Sequence, residues 1–250
     1  MRSAAASTTQ RDRPEIGFDR VLKLAWVDRA LALLAQGSPP TEVRELLRDV
    51  IAAEVSGADA AQKTVCVLSG LWLAPPGDLV ELRDRAVERR RWGTTDTPLV
   101  FHWGMALAGY PLFRKVAEAA GRLLRLQGLC SASQVQRRLQ EQLGERQIVS
   151  RATRHVLRTL VAWGALNDTH ERGLYEPAGA RSVDDSSLAA WLIEAALRAE
   201  TSGRARFSGL IRSPALFPFD VSNTRVADLA ASDSLEVHRE GLREEVVTVV

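Results

Sequence analysis

From residue 18 onward the chain is written mostly in helical spacing. Apolar residues at Phe18, Val21, Leu22, Leu24, Ala25, Leu31 and Leu34, with charges between them, predict a helix over Phe18–Leu34. Gly37-Ser38-Pro39-Pro40 ends it. Thr41 is then placed to cap a second helix, with Val43, Leu46, Leu47, Val50 and Ile51 on one face and a stop at Ser56-Gly57. A third helix, Ala58–Leu73, is more apolar and breaks at Pro75-Pro76-Gly77. A fourth, Asp78–Trp92, sets Leu79, Val80, Leu82 and Val87 among many charges. After a loop over Gly93–Pro98 comes an apolar, aromatic-rich stretch, LVFHWGMALAGY, broken at Pro111.

The next segment is patterned more tightly. Phe113–Leu126 carries Phe113, Val116, Ala117, Ala120, Leu123 and Leu124 on one stripe, and Gly128 is positioned to stop it. Ser131 and Gln134, spaced S-x-x-Q, predict a capping box at the start of a second helix whose stripe is Val135, Leu139 and Leu143. After the link Glu145–Val149, Ser150 is the expected cap of a third helix. That helix turns Ala152, Val156, Leu157, Leu160 and Val161 one way and Arg151, Arg154, His155 and Arg158 the other. Gly164 stops it. Ala165-Leu166 and Leu174-Tyr175-Glu176 then read as the two strands of a hairpin with a polar, glycine-bearing tip.

Beyond Ala178 the pattern loosens. Ser186-Ser187 opens an apolar helix, with Asp184-Asp185 supplying favourable charge at its N-terminus. Gly203–Gly209 reads as a basic surface loop, SPALFPFDV as an irregular apolar segment, and LEVHREGLREEVVTVV as a second hairpin centred on Glu240-Gly241. The expected fold class is therefore mainly α, in four parts. Residues 1–15 form a disordered, polar leader and 16–112 a helical N-terminal domain. Residues 113–178 form a three-helix unit with a small β-hairpin, and 179–250 an extension of one helix and a short hairpin.

Composition changes the picture at one point. The 250-residue chain has a net charge of only +2, but residues 113–175 hold 11 basic and 5 acidic side chains, against 14 and 14 before them and 8 and 12 after. A basic stretch confined to one unit is the footprint of a polyanion site. The arginine-rich end of the fourth helix, Glu88–Trp92, is better explained by the preference of helix C-termini for cations. The absence of an apolar run of about 18 residues argues against a membrane span, and the polar start against a secretory signal. Together these point to a cytoplasmic protein. Cys66 and Cys130 are expected to be two buried thiols without metal-ligand spacing. His102 reads as a packing histidine, and His155, His170 and His238 are isolated. No phosphate-binding loop, metalloprotease motif or nucleophile elbow occurs, so the expectation is a non-enzyme without cofactor or metal.

The succession of a helix, a capped helix, a basic helix and then LVAWGAL–NDTHERG–LYEPA resembles the winged helix-turn-helix superfamily over roughly residues 113–178. The resemblance implies double-stranded DNA binding, with the N-terminal half of the third helix in the major groove. It places Arg151, Arg154 and Thr153 at base edges, with His155 on the same outward face. Arg158, Ser150 and Gln147 fall near phosphates, Arg137 and Arg138 on the backbone from the preceding helix, and Arg172 at the tip of the wing. The helical region before this unit, together with the segment FHWGMALAGYPLFRKVAEAAGRLLRLQ, gives an overall layout that resembles BrxA-like accessory proteins of the bacterial BREX anti-phage system. Three roles stay open at this point: an accessory DNA-binding subunit beside other protein subunits, a sequence-specific transcriptional regulator acting as a homodimer, and a protein-docking scaffold.

Overall fold

The computed structural model describes residues 13–93, 98–240 and 244–250. Residues 1–12, most of the expected leader, lie outside the described residues, as do 94–97 and 241–243, which include Gly241 at the expected centre of the last hairpin. The described residues are mainly helical with three small sheets. It begins with α1 (Leu24–Ala35), α2 (Pro40–Glu54) and α3 (Ala58–Leu68), which runs on as a π-helical turn over Ser69–Leu73. A 3-10 turn at Gly77–Leu79 leads into α4 (Val80–Arg91), followed by α5 (Leu99–Gly109). Then come α6 (Pro111–Gln127), β1 (Cys130–Ser131), α7 (Ala132–Leu143), α8 (Gln147–Ala162), β2 (Leu166–Asp168) and β3 (Leu174–Pro177). The remainder comprises β4 (Arg181–Ser182), α9 (Ser186–Arg198), β5 (Arg204–Arg206), α10 (Phe207–Leu210), β6 (Phe219–Asp220), α11 (Val226–Ala230), β7 (Leu235–Glu240) and β8 (Glu244–Val249).

The first expected helix is only half formed. Phe18 and Leu22 are fully buried, as their spacing requires, but the backbone there is not helical and α1 starts at Leu24. A tertiary bond explains the difference, because the Leu22 N–H donates to Thr159 Oγ1 on α8 at 3.1 Å. Nor does Thr41 cap α2. Pro40 opens that helix, its fixed φ and missing N–H suiting the first helical position. At the other end of the expected leader, the Arg13 side chain is almost fully buried and pairs with Asp78. Cys130 is buried as expected, which pushes its thiol up to about 12, whereas Cys66 stands exposed at the surface and not in the core.

α5 is the hub of the core, and every residue from Leu99 to Ala108 is buried. His102 is satisfied on both ring nitrogens: Nδ1 accepts from Trp72 Nε1 at 3.1 Å, and Nε2 lies 2.6 Å from Asp28 Oδ1. Because an indole N–H can only donate, Nδ1 carries no proton and Nε2–H is the donor to Asp28. Burial pushes this imidazole below its ordinary range, outweighing the upward pull of Asp28. Trp103 donates to the Ala215 carbonyl and packs edge-on against Phe113, Phe217 and Phe219. The apolar core continues without interruption from Phe18 through α6 and α8 to Val247.

α9 starts as its sequence suggests, with the Asp185 carboxylate accepting from the Ser187 and Leu188 N–H groups. Its buried Glu194 receives Arg85, Arg198 and Ser234, tying α4 and the approach to β7 onto α9. β7 and β8 form the expected antiparallel hairpin. The basic loop expected at Gly203–Gly209 instead contributes β5, a third strand beside β8, and Arg204 and Arg206 are paired with Glu240 and Glu244.

Candidate nucleic-acid interface

The basic unit is built on α6. Its stripe of Phe113, Val116, Ala117 and Ala120 is fully buried, and Gly128 ends it at φ +74, a left-handed conformation that glycine adopts without steric cost. α7 buries Val135, Leu139 and Leu143, and α8 buries Val149, Ala152, Val156, Leu157 and Leu160. Each Val, Leu or Phe among these contributes about 1.5–3 kcal/mol when removed from water, and each alanine about 0.8 kcal/mol. That sum far exceeds any surface ion pair, so packing sets which side of α8 faces out. Phe113 on α6 lies 5.6 Å from the Trp163 ring just after α8, which fastens that end of the helix to the core. The α7–α8 link is only Gly144, Glu145 and Arg146, and Arg146 donates to the Leu143 carbonyl at the end of α7.

β1, β3 and β2 form an antiparallel sheet in that spatial order. β2 and β3 are a hairpin directly after α8. Its turn is organised by Thr169, whose hydroxyl donates to the Leu174 carbonyl and accepts from the Glu171 N–H. The Gly173 carbonyl accepts from the Ala132 N–H at 2.8 Å, so the tip is fixed beside the start of α7. Arg172 is exposed on that tip.

Several expected details change. The capping box at Ser131 does not form. Ser131 pairs with Leu174 in the sheet, its hydroxyl lies against Ser133, and Gln134 accepts from Gln127. α8 starts at Gln147, not after Ser150. Ser150 therefore lies inside the first turn and accepts from Gln140 Nε2 at 3.0 Å. Thr153, expected at a base edge, is fully buried with its hydroxyl unpartnered, because it falls on the packed side of α8. His155 is half-buried, not outward, and faces the Asp19–Arg20 segment. Burial pushes its imidazole below the ordinary range, the Asp19 backbone pulling the other way and the Arg20 and Arg151 charges adding to the depression. Arg158 is bonded to Asp168 Oδ1 on β2 at 2.6 Å, and that bond holds its guanidinium above its usual value, with Tyr175 adding to it.

What remains on the outer side is a coherent set. Gln147, Arg151 and Arg154 are exposed on one edge of α8, four and three residues apart, and with Ile148 and Ser150 they line a shallow concavity. Arg137 and Arg138 are exposed on α7. Among the described residues, Arg137, Arg138, Arg151, Arg154 and Arg172 make no ion pair, whereas Arg198 on α9, Arg204 and Arg206 on β5 and Arg225 just before α11 all do. The sequence did not single out Gln140 and Asp168, which hold Ser150 and Arg158, or Ile148, whose helical position depends on where α8 begins. Their types carried no signal; only the folded neighbours gave them a role.

Among the described residues no group of three or more His, Cys, Asp or Glu side chains converges as a metal site, and no single helix is long and apolar enough to cross a membrane. Compared with family models, with curated proteins and with solved structures, the chain matches none.

Proposed function

We propose that α6–α8 with the β1–β3–β2 sheet act as a winged helix-turn-helix that binds double-stranded DNA without catalysing a reaction on it. One observation carries the reading. The outward edge of α8 presents Gln147, Arg151 and Arg154 with no acidic partner among the described residues, while the opposite side of the helix is locked in the core. A major groove admits one such helix, and guanidinium and amide groups are the donors that suit its base edges and phosphates. Arg137 and Arg138 on α7, beside Ala119 and Leu123 of α6, and Arg172 on the hairpin tip are also exposed without an ion pair among the described residues, and supply further charge for backbone phosphates. The guanidinium groups of Arg151 and Arg154, with no acidic side chain lining their concavity, suit the phosphate-lined surface of DNA, which takes the larger share of protein–DNA hydrogen bonds.

The test is a fluorescence-anisotropy titration of a short duplex at several salt concentrations. Arg151→Ala combined with Arg154→Ala is expected to weaken binding by at least about tenfold per residue, the worth of a lost base or phosphate contact, and to flatten the salt dependence. Unchanged affinity in a folded double variant would refute DNA binding by this edge.

A further inference from the structure

Ile148 is one of five large apolar side chains left exposed among the described residues, at 42% of its surface. It differs from the other four in its setting. It occupies the second position of α8 and lines the same concavity as Gln147, Ser150, Arg151 and Arg154. A single surface isoleucine needs no explanation by itself. A bare apolar side chain sharing one concavity with an amide, a hydroxyl and two unpaired guanidinium groups is a different matter, because this is the set that base edges in the major groove call for. Arginine suits guanine O6 and N7, glutamine suits adenine N6 and N7, and an aliphatic group suits the thymine methyl. A surface that gripped phosphates alone would gain nothing from Ile148.

The geometry points to direct sequence readout by the first turns of α8, in which Ile148 packs on the 5-methyl group of a thymine adjacent to a guanine bound by Arg151 or Arg154. The inference rests on the duplex-binding reading above and adds a ligand chemistry to it: the site recognises a methyl-bearing base, not DNA in general. Gln140 supports the arrangement by donating to the Ser150 hydroxyl, which fixes the first turn of α8 against α7.

The experiment uses the full chain and a pool of short random-sequence duplexes, selected by repeated capture. Enrichment of sequences containing a thymine beside a guanine is expected. Replacing that thymine by deoxyuridine removes only the methyl and is expected to weaken wild-type binding about fourfold, the worth of one buried methyl group. Ile148→Ala, an exposed-site change that leaves the circular dichroism intact, should bind the thymine and uracil duplexes equally, and Ile148→Val should restore part of the difference. Equal wild-type binding to both duplexes, or retention of the pool without enrichment, overturns methyl readout and leaves duplex binding standing. No retention of any duplex at low salt overturns both.

Discussion

Arg158 on α8 and Asp168 on β2 are joined by a 2.6 Å ion pair that fastens the basic helix to the first strand of the hairpin. Both side chains are about half exposed, so the pair adds no more than about 1 kcal/mol to stability. Its larger effect is electrostatic, since Asp168 cancels one positive charge at the edge of the proposed DNA surface. Asp168→Asn is therefore expected to leave the melting temperature nearly unchanged, to raise duplex affinity several-fold at low salt, and to steepen the salt dependence by about one charge. Anisotropy titrations over salt measure both binding quantities, and thermal denaturation the melting temperature. Weaker binding with an intact fold would mean that Asp168 positions Arg158 rather than competing for it.

Thr153 offers a check on which side of α8 is functional. Its hydroxyl is buried without a partner, and an unsatisfied buried hydroxyl costs about 1–3 kcal/mol. Thr153→Val keeps the shape and removes that penalty. It is expected to stabilise the protein by about 1 kcal/mol, raising the melting temperature by about 2–4 °C, with duplex affinity unchanged. A folded variant that lost DNA binding would return Thr153 to the interface.

His102 sets a pH dependence whose sign follows from its neighbours. The Trp72 indole N–H occupies Nδ1, so the folded state holds the ring neutral, and burial keeps its protonation below the unfolded value near 6.5. In that window the unfolded chain binds more protons than the folded one, so stability rises with pH. The contribution is complete above about pH 6.5 and is lost as pH falls through the folded value. Chemical denaturation at a series of pH values should show this decline. His102→Leu should flatten it while lowering stability by about 2 kcal/mol at neutral pH, because the buried Trp72 indole N–H is left without its acceptor.

Gly121 on α6 is required by a close approach. A Cβ built there would lie 2.0 Å from the Pro214 carbonyl oxygen and 2.9 Å from its carbon, both backbone atoms that cannot rotate away. Gly121→Ala is expected to destabilise the fold by about 3 kcal/mol, in spite of the better helix propensity of alanine. A shift of the denaturation midpoint at unchanged slope would register this, and a neutral result would mean that the Pro214 segment is not held against α6.

The elements of the basic unit were legible in the sequence because their signals are local. The stripes of α6, α7 and α8, the stop at Gly128 and the hairpin after Gly164 each depend on residues within a few positions of one another, and burial follows the same periodicity. Phe18 and Leu22 show the limit. Their spacing correctly marked them as core, but a bond from Leu22 to a side chain 137 residues away holds the backbone out of the helix.

Polar side chains show the same limit at the candidate site. Ser131, Ser150, His155 and Arg158 each had a local partner or an open face available in one dimension, and in three dimensions each is occupied elsewhere, by β3, Gln140, the Asp19–Arg20 segment and Asp168. Apolar spacing determined that a packed three-helix unit with a hairpin exists, and the count of charged residues that positive charge is concentrated over 113–175. Only the tertiary structure decided which arginines stay unpaired, and that Ile148 stands among them. A hydrogen bond or ion pair goes to whichever partner the packed core brings within about 3 Å, and sequence distance has no bearing on that choice.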